Sequence, residues 1–126
     1  NNRSLVIRAH LSGIEILITG DIEPGAQEAL LRENDFSEID IIKVPHHGSK
    51  YQVINLFQSA KRFLISVGTN SYGHPDHELI RQLQSIGVVE RTDISGSIAI
   101  SWSGNQDKPV FSSRRLGKEW WKISWQ

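Results

Sequence analysis

Reactive polar side chains gather just after three apolar segments of the sequence, at residues 14–19, 39–44 and 63–67. Each segment predicts a β-strand, and in α/β sheets the loops that follow parallel strands meet at one edge. Carboxylate oxygen and neutral imidazole nitrogen at such an edge can ligate Zn²⁺, Mn²⁺ or Fe. The pattern therefore predicts a metal site at the edge of a sheet. Its candidate residues are Asp21, His46, His47, Ser49, Lys50, Asn70, Tyr72, His74 and His77.

Several of the candidate residues also have an ordinary structural explanation. A single aspartate after a glycine, such as Asp21, is often a turn or helix-capping residue. Two adjacent histidines in an extended segment point in opposite directions, so His46 and His47 are expected to supply one direct ligand at most. We expect His77, at the start of a helix, to be exposed, and His10, inside a strand, to be structural. The combination of Gly-Asp, His-His-Gly-Ser and Tyr-Gly-His-Pro nevertheless favours a site over three coincidences.

The elements that position these residues follow from hydrophobic patterning and turn residues. The sequence predicts strands at 4–10, 14–19, 39–44, 63–67, 88–92, 97–102 and 110–113. Between them it predicts a helix with Pro24 in its first turn that runs through 26–32, a helical segment over 53–60 and a helix from Asp76 to Gly87. The first two strands are close enough to form an antiparallel hairpin. Helices alternating with strands, with hairpins at both ends, predict an α/β fold with a mixed sheet and flanking helices.

The amino-acid composition excludes some classes of protein and of metal site. The chain has 126 residues, of which 38% are hydrophobic, which fits one domain with its own core. Fourteen basic residues balance fourteen acidic ones, which excludes a histone-like binder but not an enzyme with a local phosphodiester site. There is no cysteine, so a metal would need histidine, carboxylate or backbone oxygen ligands. There is also no methionine, which predicts that the sequence is a segment of a longer protein.

The motifs together resemble the metallo-β-lactamase-like domain of the ComEC/Rec2 family of bacterial DNA-uptake channels. The resemblance covers roughly residues 2 to 100. It is carried by Asn-Arg-Ser-Leu-Val at 2–6, Leu-Ile-Thr-Gly-Asp-Ile at 17–22, Lys-Val-Pro-His-His-Gly-Ser-Lys at 43–50, Ser-Val-Gly at 66–68, Asn-Ser-Tyr-Gly-His-Pro at 70–75 and Arg-Thr-Asp at 91–93. It implies part of an αββα sandwich with a hydrolytic centre of one or two metal ions, Zn or Mn.

The resemblance also implies roles for individual residues. Asp21 matches the aspartate that bridges metal ions, and the His46-His47 segment matches the one that supplies a late metal-binding histidine, for which we favour His47. His74 matches a histidine that faces the active site and could hold a phosphate oxygen or protonate the leaving group. Contacts to the substrate are expected from Ser49, Lys50 and Asn70.

One feature of the family is absent from this sequence. Metallo-β-lactamase-like domains carry an early His-x-His-x-Asp-His motif that supplies most of the metal ligands, and its usual place lies upstream of residue 1. The resemblance therefore covers only the second half of the domain, and we expect this half alone to bind metal weakly and to catalyse little.

The expected partners are the missing N-terminal half, the membrane channel of the parent protein, single-stranded DNA and, through an exposed apolar face, a second copy of the chain. The parent is expected in the bacterial inner membrane, with this domain outside the bilayer on the periplasmic or extracytoplasmic side.

The tail over 103–126 matches no motif. Basic residues interleaved with tryptophans can bind single strands through phosphate contacts and base stacking. The alternative is that the tryptophans pack against the domain or cover an edge strand. The residues concerned are Arg114, Arg115, Lys118, Lys122, Trp120, Trp121 and Trp125.

Three functions remain open at this point. The first is a metal-dependent phosphodiester hydrolase, nuclease-like, within a DNA-uptake protein. The second is a metallo-phosphodiesterase that acts on a phosphoester other than DNA. The third is a nonhydrolytic module that binds DNA or a partner subunit, although Asp21, His47 and His74 together argue against the loss of a catalytic site.

Overall fold

The computed structural model describes residues 3–101 and 110–114. Strands and helices alternate through the middle of the chain, as the sequence predicts. The elements are β1 (Ile7–Leu11), β2 (Ile14–Ile18), α1 (Pro24–Glu33), β3 (Ile41–Lys43), β4 (Arg62–Ile65), α2 (His77–Ile86), β5 (Val88–Arg91), α3 (Thr92–Ser95), β6 (Ser97–Ser101) and β7 (Val110–Arg114). Short 3₁₀ turns lie at Pro45–Gly48 and Ile54–Phe57. Among the described residues, no helix is both long and apolar enough to cross a membrane.

The central sheet has five strands in the order β1-β2-β3-β4-β5. β1 and β2 form an antiparallel hairpin, and β2, β3, β4 and β5 run parallel to their neighbours. β6 and β7 form a second antiparallel hairpin. The predicted mixed α/β sheet with hairpins at both ends is therefore confirmed. Because four successive strands are parallel, the loops that follow them all leave from one edge of the sheet.

One face of the sheet forms the core. Leu17, Ile42 and Phe63 lie opposite one another in the register of β2, β3 and β4 and are at most 1% exposed. Leu83 of α2 is also fully buried and belongs to the same hydrophobic cluster, and the ring of Phe57 meets Phe63 edge to face at 5.9 Å. Aromatic and aliphatic burial of this kind is the main stabilising term in a domain of this size. The core thus fixes the strands whose ends carry the candidate residues.

The opposite face of the sheet stays partly exposed. Ile7, Ile18 and Val88 share this face and are 44%, 42% and 48% exposed. The second hairpin approaches this face, because the guanidinium carbon of Arg62 lies 3.6 Å from the centre of the Phe111 ring. Self-association of two copies of the chain through the exposed part of this face stays a prediction.

Several boundaries differ from the sequence-based expectation, among them the following three. The helix expected over 53–60 is only the 3₁₀ turn Ile54–Phe57, because Val53 is extended and the hydroxyl of Ser59 donates to the carbonyl of Phe36 on another segment. The first strand begins at Ile7 rather than at residue 4. The strand expected over 88–92 ends at Arg91, because Thr92 begins the short helix α3 and its hydroxyl bonds the backbone of Val67.

The turn from α2 into β5 depends on the absence of a side chain at Gly87. A Cβ there would lie 2.7 Å from the carbonyl carbon of Lys61, closer than atoms can approach without a backbone shift. We expect Gly87→Ala to lower the free energy of unfolding by about 2 kcal/mol, as an overpacked backbone contact does. Urea unfolding measures this, with Gly68→Ala as the control, since a Cβ at Gly68 meets nothing within 4 Å. Equal stability of the two variants would contradict this account of the turn.

Candidate metal centre

The loops at the carboxyl edge of the sheet bring together four of the candidate residues. Asp21 follows β2, His46 and His47 follow β3, and His74 lies in the loop between β4 and α2. The Nε2 atom of His47 lies 3.5 Å from Oδ2 of Asp21. The rings of His46 and His74 are 5.7 Å apart, centre to centre. The edge therefore carries an aspartate–histidine pair and, beside it, a pair of histidines.

The two adjacent histidines lie in a tight turn and not in the extended segment that the sequence analysis assumed. His46 has φ 49° and ψ 46°, and His47 has φ 55° and ψ 23°, so both are left-handed. This conformation costs a residue with a side chain roughly 1–2 kcal/mol, which the surrounding contacts must offset. The turn still separates the rings, since His47 faces Asp21 and His46 faces His74.

The hydrogen bond of His47 to the backbone fixes its tautomer. Its Nδ1 lies 2.7 Å from the carbonyl oxygen of Ser66. A carbonyl can only accept, so Nδ1 carries the proton, and in the neutral ring the lone pair of Nε2 then points toward Asp21. Histidines that bind metals are typically oriented in this way by a carbonyl on the other nitrogen. Two electron-pair donors, Nε2 of His47 and Oδ2 of Asp21, thus face each other, and this donor set fits a divalent cation.

Lys43 also contacts Asp21 and is not among the candidate residues predicted from the sequence. Its Nζ lies 3.5 Å from Oδ1 of Asp21 and donates to the carbonyl of Gly20 at 2.8 Å. Burial lowers the pKa of the Lys43 ammonium below its ordinary value, and the Asp21 carboxylate opposes that shift. The signal was present in the sequence, since Lys43 is a charged residue close to the carboxyl end of the predicted strand at 39–44, next to the histidine pair. Lys43 balances the charge of Asp21 and places a cation beside the site.

The loop between β4 and α2 is organised by Asn70. Its Nδ2 donates to the carbonyls of Gly68 and His74, and its Oδ1 accepts from the backbone amides of Tyr72 and His74. All the hydrogen-bonding capacity of the amide nitrogen is used inside the loop, which fixes the position of His74. The ring of Tyr72 lies 6.3 Å from that of His74 and is 83% exposed. A contact of Asn70 with a substrate stays a prediction.

The remaining candidate residues differ in how far they are buried and in what they contact. Ser49 is 3% exposed, and its hydroxyl accepts a hydrogen bond from the amide of Tyr51. Lys50 is exposed, with its ammonium 4.9 Å from the centre of the Tyr51 ring. His77 is exposed at the start of α2, as expected. His10 lies at the opposite edge of the sheet, where its Nδ1 meets Glu15 at 2.7 Å.

Across residues 3–101 and 110–114, the structure contains no group of three or more aspartate, glutamate, histidine or cysteine side chains arranged to hold a metal. Zinc centres in proteins use three or four protein ligands. A metal at Asp21 and His47 would therefore need further donors from outside the described residues.

The tail residues 115–126, including Trp120, Trp121 and Trp125, also lie outside the described residues, so single-strand binding by the tail stays a prediction.

Comparison with known proteins finds relatives among the proteins of DNA uptake. ComE operon protein 3 of Bacillus subtilis is 34% identical over 103 residues, which is 78% of this chain and 13% of the relative. Competence protein ComA of Neisseria gonorrhoeae is 28% identical over 106 residues, 78% of this chain and 15% of the relative. Recombination protein 2 of Haemophilus influenzae is 29% identical over 107 residues, 81% of this chain and 13% of the relative.

The chain thus spans about one seventh of the length of these relatives. No family model matches the chain, and no solved structure matches it significantly.

Proposed function

This chain belongs to the ComEC/Rec2 family of competence proteins, and on that premise we propose that it forms the C-terminal part of a metal-dependent phosphodiester hydrolase domain, nuclease-like, in a bacterial DNA-uptake protein. The observation that carries the proposal is the approach of Nε2 of His47 to Oδ2 of Asp21 at 3.5 Å. The carbonyl of Ser66 holds the ring in the tautomer that leaves Nε2 free to bind a cation.

The role proposed for each residue follows from the position of its side chain. Asp21 and His47 would hold a divalent ion, Zn²⁺ or Mn²⁺, together with donors from the upstream half of the domain. When bound, the metal supplies an activated water and positive charge beside the phosphate. His74 is half-buried beside His46, and in this proposal it delivers a proton to the leaving oxygen. Lys43 holds the carboxylate of Asp21 in place.

The partners in this proposal are those of the whole parent protein. The substrate is DNA, of which the proposed reaction removes the strand that does not enter the cell. The upstream half of the domain and the membrane channel are the structural partners. We place the parent in the bacterial inner membrane and this domain outside the bilayer, on the extracytoplasmic side.

Replacement of His74 tests the proposed mechanism. In the parent domain that includes the upstream segment, we expect His74→Asn to lower kcat for a DNA substrate by about 10²-fold or more, with little change in KM, because general acid catalysis contributes 10²–10⁴-fold. His77→Asn is the matched control, since His77 is an exposed histidine three residues further along the chain.

Equal kcat values for the two variants would remove His74 from the mechanism. If the unchanged parent domain instead cleaves small phosphoesters but not DNA, it is a phosphodiesterase with another substrate. If it binds DNA without cleaving any phosphoester, it is a nonhydrolytic module.

A further inference from the structure

Two glutamine side chains connect the segment that carries Asp21 to the turn that carries His47. Gln27 lies on α1 and is fully buried, with 0% of its surface exposed. Gln52 is half-buried in the segment after the histidine turn. The two amides meet directly, since Nε2 of Gln27 donates to Oε1 of Gln52 at 3.0 Å.

Gln52 holds both ends of the histidine turn with one amide group. Its Nε2 donates to the carbonyl of Pro45 at 3.2 Å and to the carbonyl of Ser49 at 3.1 Å. These two residues flank the three left-handed residues of the turn. Because both carbonyls can only accept, the amide of Gln52 has a single orientation in this network.

The side-chain amide of Gln27 also forms hydrogen bonds with the backbone of two segments. Its Nε2 donates to the carbonyl of Ile22 at 3.0 Å, and its Oε1 accepts from the amide of Val53 at 2.8 Å. Ile22 is the neighbour of Asp21 in the chain, and Val53 is the neighbour of Gln52. A continuous chain of hydrogen bonds therefore runs from the backbone beside Asp21 through Gln27 and Gln52 to both ends of the histidine turn. A buried network in which every member is satisfied holds its backbone partners in one arrangement.

From this connection we infer that Gln27 and Gln52 are positioning residues, which set the separation of Asp21 and His47 and the tautomer of the His47 ring. Neither side chain forms a hydrogen bond with the side chain of Asp21 or His47. They act on the backbone that carries the two donors. The consequence for metal affinity rests on the proposed function, whereas the consequence for the His47 ring does not.

The test compares Gln52→Met and Gln27→Met with the wild type, because methionine has a similar length but cannot donate to the carbonyls. Gln84→Met on the exposed side of α2 is the matched control. Imidazole ¹⁵N shifts report the tautomer of each histidine. We expect the Nδ1–H tautomer of His47 to lose population in both of these variants, more in Gln52→Met, while His10 and His77 keep the wild-type shifts.

Unchanged His47 shifts in both Gln27→Met and Gln52→Met would overturn the inference. Should the methionine variants fail to fold, Gln52→Asn gives the same test, since its amide is one methylene too short to bridge Pro45 and Ser49 and the same change at His47 is expected.

A second readout is the affinity for Zn²⁺ in the parent domain that includes the upstream segment. We expect Gln52→Met to weaken Zn²⁺ binding about tenfold or more, as loss of a residue that orients a ligand does, and Gln84→Met to leave it unchanged. Unaltered affinity in Gln52→Met would count against the positioning role. Absence of Zn²⁺ binding in the wild-type parent domain would instead defeat the proposed function, and the histidine shifts would still decide the role of the glutamines.

Discussion

Asp21→Asn is expected to remove phosphodiester cleavage from the parent domain while leaving the fold intact. Asparagine keeps the shape of the side chain but loses the negative charge that a divalent cation needs opposite Nε2 of His47. A metal contributes several kcal/mol of transition-state stabilisation, and each 1.36 kcal/mol is tenfold in rate, so the loss should be about 10³-fold or more. Steady-state cleavage of DNA with saturating metal measures the effect.

The stability of the Asp21→Asn variant should change little. Asp21 is about one third exposed, and its contact with the ammonium of Lys43 is 3.5 Å long, so it resembles a surface ion pair worth about 0–1 kcal/mol. Asp93→Asn is the matched control, because Asp93 is also paired with a cation, Arg91, just after a strand of the same sheet. Cleavage by Asp21→Asn at the level of the control would take Asp21 out of the mechanism.

A large loss of stability is expected when a side chain is added at Gly48, where the histidine turn packs against the loop that carries His74. Gly48 has φ +79°, and a Cβ there would lie 2.6 Å from Cβ of Pro75 and 3.3 Å from Cγ2 of Ile65. Its carbonyl also accepts from the amide of Asp76 at 2.8 Å. Gly48→Ala therefore combines a left-handed backbone with a steric overlap, and we expect a loss of about 3 kcal/mol in the free energy of unfolding.

Thermal and urea unfolding of this chain measure the effect of Gly48→Ala, which corresponds to a decrease in Tm of roughly 10 °C. The control is Gly25→Ala in α1, where a Cβ meets nothing within 4 Å and the backbone is helical. There alanine should be neutral or stabilise by up to about 1 kcal/mol. If both alanine variants unfold at the wild-type temperature, the turn does not depend on the glycine.

Patterning and capping residues predicted the parts of the fold that depend on neighbours along the chain. The helix α2 begins after Asp76, whose side chain accepts from the amides of Glu78 and Leu79, and it ends before Gly87. The hairpin of β1 and β2 turns at the residues Ser12 and Gly13. Such signals act over a few residues and can be read from sequence.

The candidate site depended on contacts between distant segments, and here the sequence was less informative. It predicted that Asp21 and the histidine pair would share one edge of the sheet, and the structure brings Asp21 and His47 together there. It did not predict the left-handed turn at His46, which depends on bonds to Gln52 and Gly20 from elsewhere in the chain. Nor did it select Lys43, whose partner Asp21 lies 22 residues upstream and is brought near by the pairing of β2 and β3.

Metal content distinguishes a metal-dependent hydrolase from a binding module when it is determined side by side for this chain and for the parent domain extended upstream through the expected histidine motif. Both proteins are loaded with Zn²⁺ or Mn²⁺, freed of excess ion, and assayed for cleavage of DNA. We expect stoichiometric metal and cleavage only in the extended domain, because Asp21 and His47 alone offer fewer donors than a metal centre uses. If neither protein retains metal, the hydrolase assignment is contradicted and a nonhydrolytic binding module replaces it.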